Sequence, residues 1–224
     1  SLHSKCLKRI KNTTQLMKTL SGPYLKPKSD KIENIILFLH GYGANGEDLI
    51  ALSSNWINFL PNTIFYSPNA PFVCNEVPNG FKWFELMQRS KDEVKDGLIK
   101  AGPYLNNFID EILDSNNLEM KNLIVIGFSQ GTILSLHHLN KRNQSCAGLI
   151  GYSGLLFENK EFVKEIKSRF PILLYHGLDD EIINYESSQS ASEKLKKYGF
   201  MVDCIIQKNL GHGIDIRGIE EGEK

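Results

Sequence analysis

The sequence predicts a single α/β domain whose central sheet is mostly parallel and covered by helices on both faces. Three observations lead there. From residue 32 onward, short apolar runs alternate with longer stretches of helical spacing, the pattern of strands joined by crossover helices. The 224 residues are 41% apolar and 23% charged, which supplies one sizeable core and excludes disorder as the main state. No internal repeat, low-complexity tract or linker divides the chain.

The elements follow in order. Residues 35–39 form a continuous apolar run ending at His40 and Gly41, as a strand buried on both faces requires. Residues 47–60 have helical spacing and stop at Pro61, and residues 63–66 read as a short strand entering the Pro/Asn-rich segment 67–71. A helix is expected over 93–113, bent or restarted at Pro103 because proline cannot supply the N–H that the ladder needs. A strongly apolar strand at 123–128 leads into a helix at 131–139. Strands at 147–152, 171–175 and 202–207 then alternate with an amphipathic helix at 160–169 and another at 187–197.

Composition narrows the partners. Lys plus Arg and Asp plus Glu number 26 each, so no long-range field gathers polyanions and nucleic acid is not an expected partner. The apolar runs are too short to span a bilayer, so stable membrane insertion is not expected either. Cys6, Cys74, Cys146 and Cys204 are widely spaced without a C-x-x-C pair, which argues against a zinc ribbon or a thioredoxin-type site. Reduced thiols in a cytoplasmic protein are the expectation. Residues 1–20 hold five Lys/Arg and no acid; they read as a loosely packed extension, a basic surface helix or a targeting segment. The last is weakened because Arg9 is the one arginine there. We assign residues 1–21 to this basic extension and 22–224 to the domain. Met17 would serve as a natural start, in which case residues 1–16 would be dispensable.

The chemistry gathers at Gly127, Phe128, Ser129, Gln130 and Gly131, a G-x-S-x-G pattern with a buried strand directly before it and a helix directly after. In that context it is a nucleophile elbow, a sharp turn that lifts the serine hydroxyl above the sheet near a helix N-terminus. Serine needs a base, and the base needs an orienting acid. On an elbow these follow in the order Ser, acid, His. His3 and His40 precede Ser129; His137 and His138 lie within the following helix; only glutamates in or beside an amphipathic helix separate His176 from Ser129. His212, in a glycine-flanked loop after the last strand, remains as the base. Asp179, Asp180 and Glu181 all follow the strand at 171–175, and spacing does not choose among them. The backbone N–H of Gln130 would be one oxyanion donor, and the glycine-bearing loop 40–43 would supply the other.

These residues resemble the phospholipase/carboxylesterase family of α/β-hydrolases, which includes bacterial carboxylesterases and acyl-protein thioesterases. The resemblance rests on the ordered motifs at 39–43, 46–48, 68–71, 83–84, 127–131, His176-Gly177 with Asp180, and Gly211-His212, and it runs from about 22 to 217. It implies Ser129 as nucleophile, Asp180 as acid, His212 as base and Tyr42 as the second oxyanion donor. It also implies an acyl channel partly lined by the residues after Trp83 and Phe84, here Leu86 and Met87. Two positions depart from the pattern: Thr132 stands where many members have glycine, and Glu85 where many have aspartate. The chain runs 12 residues past His212, so a short last helix is expected.

The implied activity is hydrolysis of carboxylic esters or thioesters with short to medium acyl chains, through an acyl-enzyme. Phe72, Trp83, Leu86, Met87 and Leu178 are the pocket candidates, and no metal or organic cofactor is called for. The substrate would be a small acyl ester or thioester, or an acylated protein; a homodimer is left open. The competing reading is a non-catalytic protein that binds a small ligand on the same fold.

Overall fold

A computed structural model describes residues 19–224, so the Met17 start, Cys6 and most of the basic extension lie outside the described residues. Packing begins slightly before the expected boundary at residue 22. Leu20 is apolar and buried in the core, and the Ser21 carbonyl accepts the Asn69 N–H.

Nine strands are described: β1 (Tyr24–Leu25), β2 (Asn34–Leu39), β3 (Thr63–Tyr66), β4 (Phe72–Cys74), β5 (Gly80–Lys82), β6 (Leu123–Phe128), β7 (Gly148–Tyr152), β8 (Ile172–Gly177) and β9 (Val202–Gln207). Seven form one sheet in the order β1-β3-β2-β6-β7-β8-β9, parallel throughout except where β1 runs against β3. The mostly parallel sheet read from the apolar runs is thus present. β4 and β5 form a separate antiparallel hairpin, each strand only three residues long.

Helices cover both faces. Ile35, Leu37 and Leu39 pack toward α3 (Lys91–Asn116), α4 (Gln130–His138) and α6 (Glu186–Lys197). Ile36 and Phe38, one residue out of phase, pack toward α1 (Gly46–Ile50), α2 (Ser53–Trp56) and α7 (Ile216–Glu223). Alternating side chains of one strand therefore feed two cores, and each fully buried Ile or Leu contributes about 2 kcal/mol of apolar transfer.

Three helices differ from expectation. The helix expected over 47–60 is broken into α1 and α2. The Ser53 and Ser54 hydroxyls donate to the carbonyls of Ile50 and Ala51, and the Asn55 amide donates to that of Leu52. Such local bonds compete with a continuous helical ladder. By contrast α3 runs through Pro103 without interruption. Pro103 and Ile99 both lie on its exposed side, where the bond that proline cannot make costs least. The helix expected over 160–169 shrinks to α5 (Phe162–Glu165), because the N–H groups of Lys167 and Ser168 leave it for the Asn140 carbonyl.

Candidate active site

The chain passes from β2 to β3 on one side and then returns past β2 to β6 on the other. The loops leaving β2 and β6 consequently diverge at their carboxyl ends, the switch point where open α/β sheets bind their ligands. Ser129 follows β6 and the loop 40–43 follows β2, so topology alone brings the expected nucleophile and oxyanion loop together.

Ser129 has φ 53° and ψ −113°, a left-handed turn that costs an L-residue about 1–3 kcal/mol. Close packing enforces it. The Ser129 N–H continues the ladder to the Tyr152 carbonyl at 2.9 Å, while α4 starts at the very next residue. A Cβ on Gly127 would lie 2.6 Å from the Thr132 backbone nitrogen, so the strand and the helix it feeds approach too closely for any side chain there.

His212 Nε2 lies 3.0 Å from Ser129 Oγ, and its Nδ1 lies 2.7 Å from Asp180 Oδ2. The Phe128 ring, 5.0 Å away between centroids, backs the imidazole. Among the three acids left open by spacing, Asp179 and Glu181 are exposed and Asp180 is buried. Burial by itself would raise the Asp180 pKa. Hydrogen bonds from His212 and from the Ile183 and Ile182 N–H groups outweigh it and hold the carboxyl below its ordinary range.

The loop 40–43 is braced from several sides. His40 is fully buried; its Nδ1 contacts the Gly41 carbonyl at 2.7 Å and its Nε2 accepts the Ala70 N–H at 2.9 Å. Burial depresses its pKa, which keeps the ring neutral for both bonds. The Gln130 side chain reaches across to the segment after β5, accepting from the Trp83 N–H and donating to the Phe84 carbonyl. Among the described residues, nothing takes the backbone N–H of Tyr42 or of Gln130. Sequence reasoning gave His40 and the Gln130 side chain no task, since their partners lie 30 and 47 residues away.

The expected pocket residues are dispersed. Trp83 is 0% exposed and donates its indole N–H to the His40 carbonyl, so it supports the loop from within the core and offers no surface to a substrate. Met87 is 80% exposed; Glu93 holds its backbone N–H at the surface, and the side chain stands in solvent. Phe72 and Leu86 are half-buried, Phe72 edge-on to Tyr104, while Leu178 is 37% exposed beside Asp180.

Both departures from the family pattern have physical accommodation. Thr132 is buried, and its hydroxyl donates to the Tyr152 carbonyl at 2.9 Å. Its methyl fits because a Cβ on Gly151 or Gly154 would lie 2.7 or 2.4 Å from it. Glu85 extends to the Lys82 ammonium at 2.9 Å, and that ammonium lies 5.9 Å from the centroid of the Tyr42 ring. The described residues present no set of three or more His, Cys, Asp or Glu side chains arranged to hold a metal ion. None of the described helices is long and apolar enough to cross a membrane.

Comparison with known proteins agrees with this architecture. A family model described as phospholipase/carboxylesterase matches residues 21–223. The acyl-protein thioesterase 1 of Emericella nidulans is 27% identical over 223 residues, covering 91% of this chain and 93% of that protein. The acyl-protein thioesterase 1 of Candida albicans is 30% identical, with 74% and 78% covered. The crystal structure of esterase PE8 superposes with a TM-score of 0.88 at 33% identity, covering 92% of this chain and 96% of that one.

Proposed function

Because the chain belongs to the phospholipase/carboxylesterase family, we propose that it hydrolyses acyl esters and thioesters through Ser129, His212 and Asp180. The observation that carries the reading is the continuous path from Ser129 Oγ to His212 Nε2, and from His212 Nδ1 to Asp180 Oδ2, over 3.0 and 2.7 Å. Ser129 attacks the acyl carbonyl while His212 takes its proton, and Asp180 steadies the resulting imidazolium. The N–H groups of Tyr42 and Gln130 receive the oxyanion, each contributing about 100- to 1,000-fold in rate. His212 then gives the proton to the departing alkoxide or thiolate, and water repeats the sequence on the acyl-enzyme. Phe72, Leu86 and Leu178 offer the apolar surface for a short or medium acyl chain. Relatives named acyl-protein thioesterase support extending the substrates to thioesters of acylated proteins. The unpaired thiols of Cys74, Cys146 and Cys204 fit a cytoplasmic enzyme.

The test compares the parent with Ser129→Ala on p-nitrophenyl esters from acetyl to lauroyl and on a matching acyl-thioester series. Turnover by the parent should fall by about 10⁴-fold or more in the variant. Two equally inert proteins, both folded, would move the assignment to a small-ligand-binding protein.

A further inference from the structure

A second histidine shares the acid. His176, in β8, is 0% exposed and is not part of the path just described. Its Nε2 lies 3.0 Å from Asp180 Oδ2 and 2.8 Å from the Ile183 carbonyl, and its Nδ1 lies 2.6 Å from the Ser188 hydroxyl of α6. A carboxylate and a carbonyl can only accept, so Nε2 must carry a proton to make either contact favourable. Nδ1 is left as an acceptor for the Ser188 hydroxyl. Burial depresses the His176 pKa, in keeping with a neutral ring.

Asp180 consequently receives four N–H donors. Ile182 and Ile183 give theirs to Oδ1 at 2.8 and 2.9 Å, while His212 and His176 converge on Oδ2. The titratable groups that face this carboxylate are His176 from β8 and His212 from the loop after β9; α6, packed on β8, contributes the neutral Ser188 hydroxyl.

We propose that His176 is a positioning residue: as a neutral Nε2–H donor it fixes Oδ2 of Asp180 beneath His212 and tempers the basicity of that oxygen. The proposal rests on the Ser129–His212–Asp180 reading. A bystander in the core would also be buried, and the Ile183 carbonyl alone would satisfy its Nε2–H; sharing that proton with the charged oxygen that His212 uses is what separates His176 from one. With the His176 bond gone, Oδ2 holds His212 more tightly in its protonated form. The base then frees itself at higher pH, and its orientation is less well kept.

The experiment compares His176→Leu, which removes the donor, with His176→Gln, whose amide can still donate toward Oδ2. In the leucine variant kcat should fall by about 10- to 100-fold with KM little changed. The acid limb of kcat/KM should move upward by about half a pH unit or more, and glutamine should recover part of both. An unmoved acid limb in the leucine variant, or glutamine no better than leucine, overturns the proposal. If leucine prevents folding, long-range ¹H–¹⁵N spectra of the parent decide: a proton on Nε2 and none on Nδ1 supports it, and the opposite tautomer or a charged ring refutes it. Ser129→Ala is run in parallel. An active Ser129→Ala enzyme defeats the underlying reading, whereas an inactive one beside an unshifted His176→Leu profile defeats only this inference.

Discussion

The carbonyl oxygen of Leu39 lies 1.9 Å from where a Cβ on Gly131 would stand. Leu39 cannot retreat, because β2 is held in register with β6, Leu39 opposite Gly127. Gly131→Ala must therefore push the start of α4 away from the sheet, and Ser129 with it. We expect a loss of about 3 kcal/mol or more in stability and a matching collapse in esterase turnover. Thermal unfolding and active-site titration measure the two separately; an unchanged melting temperature would show that the helix can move freely.

Asp180→Asn keeps the size of the acid and changes its chemistry. The amide no longer selects the His212 tautomer or steadies its cation, so kcat should drop by about 10⁴-fold while the protein stays folded. Steady-state kinetics with circular dichroism checks this. A loss below tenfold would leave Asp180 with a structural role alone.

Acid should destabilise the fold before the carboxylates titrate. Burial pushes His137 and His138 down to about 4, while the unfolded chain takes up those protons near the ordinary value of about 6.5. The unfolded state thus binds more protons throughout that window. Stability conferred by the neutral rings is present above it and is lost as pH falls from about 6.5 to about 4, by about 3 kcal/mol per ring. Buried His40 and His176 are shifted in the same direction. Urea unfolding at half-unit pH intervals reads the slope. The same slope in a His137→Gln/His138→Gln double variant would assign the acid lability elsewhere.

Thr132 and Gly154 should be energetically coupled. With threonine present, Gly154→Ala is expected to cost about 1–3 kcal/mol, since the new Cβ meets the Thr132 Cβ and methyl at 2.5 and 2.4 Å. In a Thr132→Gly background most of that cost should vanish. A double-mutant cycle on unfolding free energies returns the coupling; a value near zero would mean that the 153–157 loop yields instead.

The sheet was legible because its central strands are short apolar runs, β6 falling on residues 123–128, and even β3 and the more polar edge strand β9 fall on 63–66 and 202–207 as expected. The helical stretches were less legible where Ser and Asn side chains, or a distant carbonyl such as that of Asn140, compete for backbone bonds. In the site, the elbow pattern and chain order single out Ser129 and His212. Asp179, Asp180 and Glu181 are equivalent by spacing; the family resemblance favours Asp180, and the folded loop makes it the buried one of the three. His40 and His176 take their meaning from Ala70 and Ser188. A local pattern carries no trace of such partners. Trp83 and Met87 show the converse: only four residues apart, one is sealed in the core and the other stands in solvent.

The fit of Thr132 against Gly151 and Gly154 has a consequence for descent. These three positions should behave as one heritable character with a preferred order of change. Bulk at 132 should be gained after 151 and 154 are bare. A side chain at either should return once 132 has shrunk, because the reverse order passes through an ancestor whose elbow is crowded. Among homologues the three columns should change as a block, and a chain carrying threonine at 132 with alanine at 154 should be missing from the record.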